Sequence, residues 1–144
     1  MHLLNERKKV MSVEEINLQI VKDAYAASAR GEVQGFTASF TAETEIHEAA
    51  SLPYGGVYKG VESFPTLIGK VLAIYSSLKF TKHHIVANGD HVIAWGVLDL
   101  TGKTTGKSVS IPLVEIWTIL DGKTKRLQVI YGDTAEALRA ADLI

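Results

Sequence analysis

The sequence predicts an α+β domain in which three N-terminal helices cover one face of an antiparallel sheet. Two observations carry this. Apolar spacing changes from helical to alternating near Phe80, and two glycine turns, Asn88-Gly89-Asp90 and Asp121-Gly122-Lys123, then separate strand-like runs. Helices segregated from a run of strands give α+β packing rather than βαβ units. The 144 residues suit one domain with a sizeable core.

In chain order, residues 1–11 read as a flexible extension before a single domain spanning 12–144. Arg7, Lys8 and Lys9 are followed by no apolar run, which argues against a signal peptide, and Met11 is an alternative start. Ser12 with Glu15 forms a capping box. Val13, Ile16, Ile20, Ala24 and Ala27 continue at helical spacing, widened by Leu18, Val21 and Tyr25, and Gly31 ends the helix. A short helix over 32–40 buries Val33, Phe36 and Phe40. A strand over 44–50 and a turn-rich loop over 51–60 follow. The third helix is expected over 61–78, with Pro65 tolerated near its first turn. Strands are expected over 80–87, 91–100, 108–120 and 124–132, and a last helix over 134–141, capped by Asp133 or Thr134.

Composition narrows the function. A net charge of −1 leaves no electrostatic footprint for nucleic acid or an anionic membrane. The chain has no cysteine, which removes disulfides, thiol nucleophiles and thiolate metal sites. No apolar stretch approaches the roughly 20 residues of a membrane span, and a cytoplasmic protein is the expectation. His83 and His84 diverge as neighbours on a strand, so no metal is expected. Gly55, Gly56 and Gly60 lack the Gly-Lys-Ser/Thr of a phosphate loop, and no serine sits in a nucleophile elbow.

The run from Ile111 to Leu120 holds one charged residue, Glu115. Strand alternation places Glu115 with Leu113, Trp117 and Ile119 on one face, and Val114 with Ile116 on the other. Both faces are apolar, so Glu115 is expected in a poorly hydrated place. A buried carboxyl raises its pKa, finds a partner or serves a site. An edge position or a salt bridge is the structural alternative. Strands apolar on both faces, as in Val92-Ile93-Ala94-Trp95-Gly96-Val97-Leu98, need cover on the side away from the helices. A homodimer through that outer face is expected.

Taken together, Gly31-Glu32, Phe40-Thr41-Ala42, His47-Glu48, residues 52–60, Trp117, Asp121-Gly122-Lys123 and Tyr131-Gly132-Asp133-Thr134 resemble the nuclear transport factor 2-like superfamily, in its SnoaL-like and ketosteroid isomerase-like branch. The resemblance implies a cone-shaped α+β barrel, with the helices on a curved, mixed but mainly antiparallel sheet. It also implies roles. Glu48 falls where that isomerase pattern has its general base. Glu115 falls where it has an acid held protonated to hydrogen-bond an enolate, an arrangement that is a standard example of a neutral carboxyl in an apolar site. The pattern's helix tyrosine, an oxyanion donor, aligns with Ala24, leaving Tyr25 one residue off and turned about 100°. The epoxide hydrolase pattern matches at Asp99, but Val97 and Ile130 replace its arginine and second aspartate.

Other candidates follow from residue type. His47 and Glu48 point to opposite faces unless a bulge intervenes, and a register shift of one would make His47 the base, its near-neutral pKa suiting that role. Asp99 is either a third pocket carboxylate or the solvated end of its strand. Tyr54 and Tyr58 flank the glycine loop as pocket donors or as packing. Tyr25, Trp95 and Trp117 are large enough to wall a cavity for a ring-bearing ligand, or to fill the core. The expected function is cofactor-independent acid/base chemistry, of isomerase, cyclase or dehydratase type, on an apolar carbonyl compound. The alternative is a dimeric, non-catalytic module binding a small hydrophobic ligand or a protein.

Overall fold

The computed structural model describes residues 10–144, so the expected extension lies almost wholly outside the described residues. Helix α1 (Val13–Ala29) opens on the capping box, with Ser12 Oγ accepting from the Glu15 amide at 3.1 Å. It ends at Gly31, whose φ of +75° is the left-handed conformation that glycine supplies at a helix end. Its buried face is Asn17, Val21, Ala24, Tyr25 and Ala27, whereas Val13 and Ile16 are exposed. The stripe is thus rotated from the expected one. Asn17, invisible to an apolar count, turns inward and donates to the Ile119 carbonyl.

Helix α2 (Val33–Phe36) is a single turn, shorter than expected, and Phe40 already belongs to strand β1 (Phe40–Glu48). Strand β2 (Gly56–Lys59) lies within the expected loop and pairs antiparallel with β1. A 3₁₀ turn at Val61–Ser63 leads into helix α3 (Phe64–Ile74), with Pro65 in its first turn. Strand β3 (Tyr75–Asn88) follows without a loop, so the expected helix over 61–78 ends four residues early. Tyr75 pairs with Gly102 and its hydroxyl donates to the Ala137 carbonyl at 2.6 Å, which draws residues 75–78 into the sheet.

Strands β4 (His91–Gly102), β5 (Ser108–Leu120) and β6 (Lys123–Tyr131) and helix α4 (Thr134–Ala140) fall close to expectation. Asp121 and Gly122 both have positive φ, as a two-residue hairpin between Leu120 and Lys123 requires. Asp133 caps α4 by accepting from the Glu136 amide. The six strands are ordered β2-β1-β6-β5-β4-β3, parallel only between β1 and β6. The result is the mixed, mainly antiparallel curved sheet of an α+β cone, its inner face lined by Ile46, Leu98, Leu113, Trp117 and Leu127 under the helices. Among the described residues no helix is long and apolar enough to cross a membrane.

Candidate active site

The inner face of the sheet and helices α1–α3 enclose a mostly apolar cavity of about 1120 Å³. That volume suits a ligand of several rings. Its two acidic lining residues are Glu48 and Glu115.

Register explains why these two meet. In β1, Thr44 and Ile46 are buried, and alternation turns Glu48 the same way. His47 pairs with Gln128, so Glu48 lies level with Val129, and Val129 pairs with Glu115. The carboxyls therefore share one row of the inner face, two strand spacings apart, roughly 10 Å between backbones.

Their surroundings differ. Glu115 Oε1 accepts from the Tyr25 hydroxyl at 2.7 Å, and that hydroxyl accepts from the Trp117 indole N–H at 3.0 Å. Burial raises the Glu115 pKa, while the Tyr25 hydrogen bond and the Lys82 ammonium pull it back. Glu48 has no such donors, and its Oε2 is buried without a hydrogen-bond partner. Burial, reinforced by the charge of Glu115, raises the Glu48 pKa to about 8. The hydrogen-bond donors thus gather at Glu115, the residue that the resemblance gave as the neutral acid.

The placement of Tyr25 differs from the one the isomerase alignment implied. The phase of α1 turns Tyr25, not Ala24, toward the cavity, so a helix phenol does reach the acidic site. Its ring packs edge-on against Phe80 and Trp117. Burial and the adjacent Glu115 push the Tyr25 pKa far up, so it remains a donor.

Other expected site residues lie elsewhere. His47 turns away from the cavity and pairs with Glu45 at 2.9 Å. Asp99 is on the exposed outer face, where Ser110 Oγ donates to it. Trp95 is there too, 53% exposed and stacked on His84. Both follow from alternation along β4, whose inward residues are Val92, Ala94, Leu98 and Leu100. Trp117 is wholly buried behind Tyr25 and orients it rather than lining the cavity. Tyr54 is equally buried, and the Tyr58 hydroxyl donates to the Tyr54 carbonyl, so both brace the loop.

Tyr131 and Lys82 are among the cavity residues that were not expected. Tyr131 lines the cavity, its hydroxyl 2.7 Å from that of Tyr54 and its pKa pushed up by burial. An inward turn at the end of β6 was open to the alternation Leu127, Val129, Tyr131. Lys82 also lines the cavity, with Nζ 4.5 Å from the centre of the Tyr25 ring. Alternation with Phe80 was the available signal.

Comparison with known proteins accords with this architecture. An uncharacterized Mycobacterium tuberculosis protein is 27% identical over 124 residues, covering 85% of this chain and 93% of that one. The crystal structure of an NTF2-like protein of unknown function from Burkholderia pseudomallei superposes with a TM-score of 0.81, at 23% identity, over 91% of this chain and 98% of that one. A putative SnoaL-like polyketide cyclase from Jannaschia superposes at 0.78, with 14% identity, over 96% and 99% of the two chains. At such identities these structures share the fold. The SnoaL-like domain family matches residues 21–127, most of the chain, and the protein belongs to that family.

Proposed function

We propose that this protein is a small cofactor-independent enzyme acting on an apolar, carbonyl-bearing molecule by carboxylate acid/base chemistry. The observation that carries this reading is the pair of unequally partnered carboxyls, Glu48 and Glu115, on one wall of an apolar cavity. Proton transfer next to a carbonyl needs one ionised carboxylate and one neutral acid at the same pH. Glu115, held by Tyr25, takes the proton from the carbon beside the carbonyl. Glu48, protonated, donates to the carbonyl oxygen as charge develops there. Returning the proton to another carbon gives isomerisation; attack of the enolate on a second carbonyl gives cyclisation; loss of a β-hydroxyl, protonated by Glu48, gives dehydration. The Jannaschia neighbour's description as a putative cyclase is compatible with the second.

The reading extends to a homodimer through the outer sheet face. Trp95, Val86 and Ile130 are 53, 56 and 40% exposed there, an apolar surface of the kind that marks an interface.

The test requires no knowledge of the natural substrate. A panel of cyclic ketones and β-dicarbonyl compounds is incubated with the protein in D₂O, and exchange at the carbon beside the carbonyl is followed by proton NMR. Exchange with a panel member that falls about a hundredfold or more in Glu115→Gln supports the proposal. Binding with no exchange by any member would leave the cavity a carrier of apolar ligands, the other reading of the sequence.

A further inference from the structure

Strand β3 is bulged between Lys82 and His84: Lys82 lies opposite Gly96, and His84 opposite the next residue back, Trp95. Gly96 permits the close approach, since a Cβ there would sit 1.9 Å from the Thr81 carbonyl oxygen. Before the bulge, Phe80 and Lys82 turn inward; after it, Ile85 does, and His84 stacks on Trp95 outside. The extra residue keeps a second polar side chain off the inner face and leaves Lys82 as its cation. Lys79 borders the same opening but pairs in register with Asp99 of the outer face.

Lys82 is half-buried, and its ammonium has three donors to satisfy. One goes to the Phe80 carbonyl at 3.2 Å, and the Tyr25 ring lies beneath it. Among the described residues no carboxylate comes within ion-pair distance of it. Burial lowers its pKa, and Glu115 counteracts this from a longer range. An ammonium over an aromatic ring, with donors left over and an apolar cavity beside it, is a site for an anion.

We propose that the ligand of this cavity carries an anionic oxygen group, a carboxylate in the simplest case, and that Lys82 pairs with it. The inference deepens the acid/base reading above and rests on the same cavity. Repulsion from Glu115 keeps the anion on the β3 side, so the apolar body extends along the inner face toward Glu48. Lys82 then selects acidic substrates and fixes which end of the molecule reaches the carboxyl pair.

The experiment is calorimetric titration of the full chain at pH 7.5 and low salt. The probes are naphthalene- and anthracene-carboxylates and their methyl esters, against wild type, Lys82→Met and Lys82→Arg. The proposal expects wild type to bind the acids about tenfold more tightly than the esters. Lys82→Met abolishes that preference by weakening the acids alone, and Lys82→Arg retains it. Equal affinity of acid and ester for wild type overturns the proposal, and needs no variant that might fail to fold. So does an equal loss for both in Lys82→Met, which would make the lysine a packing residue. Ester and acid binding alike, together with exchange of the ketone panel in D₂O, sinks this inference and leaves the acid/base reading standing. No binding by any probe counts against both.

Discussion

Glu48 and Glu115 are chemically identical and sit on one row of one sheet, yet burial acts on them unequally because their partners differ. The consequence is a linkage effect. Folding holds a proton on Glu48 from the ordinary carboxylate range up to about pH 8, whereas the unfolded chain releases it near 4.5. The folded state then binds more protons than the unfolded one, so this residue's contribution to stability is complete below pH 4.5 and is lost as pH rises to about 8. The slope approaches about 1.4 kcal/mol per pH unit. Urea unfolding between pH 5 and 8 should show a decline that Glu48→Gln makes shallower, the remainder coming from Glu115, whose pKa burial also raises; identical slopes in both proteins would place Glu48 in water. Tyr25→Phe should destabilise by about 1–3 kcal/mol, because it strands the buried Trp117 indole N–H, and should raise the Glu115 pKa further. An unchanged urea midpoint would contradict that network. Of this site, Glu115 was legible from its isolation in an apolar strand; Glu48 came from the resemblance alone, because alternation left open whether it or His47 turns inward. The groups around Glu115 were not legible, because Tyr25 of α1 and Lys82 of β3 meet it only in the tertiary fold.

Among elements, the sheet was more legible than the helices. Strand alternation has a period that one buried face enforces, and the Asp121-Gly122 turn sets the first β5–β6 pairs, Leu120 with Lys123 and Ile119 with Thr124, beyond which the register shifts by one residue. Helix phase is set less firmly. Ala24 and Tyr25 both belong to the apolar stripe of α1, and an inward Asn17 rotates that stripe enough to exchange their roles. The end of α3 was hidden for a related reason: Ile74, Tyr75 and Leu78 keep helical spacing although the chain is extended from Tyr75. The bulge in β3 has a sharper requirement. Gly96→Ala must displace the Thr81 carbonyl, costing about 1–3 kcal/mol of overpacking. It should also shift the amide resonances of Thr81 and Lys82 more than those of the β5–β6 hairpin. A well-tolerated alanine with an unperturbed spectrum would show that the two strands are not in close contact there.

At the scale of the whole molecule, the sheet separates two surfaces. The inner one holds the cavity and its carboxyls; the outer one exposes Trp95, Val86 and Ile130. If the outer face joins two copies, light scattering should give a dimer for wild type and a monomer for Trp95→Asp, because a carboxylate buried at such an interface is costly. A wild-type monomer at micromolar concentration would remove the dimer from the proposal. The central claim concerns the inner surface, and a carbon-detected NMR titration of the Glu48 and Glu115 carboxyls tests it most directly. The prediction is that Glu48 stays protonated through neutrality and titrates near pH 8, while the proposed mechanism requires Glu115, held by Tyr25, to ionise before it. Both carboxyls titrating near the ordinary value of about 4.3 would mean that water reaches them freely, and the polarised pair would not exist.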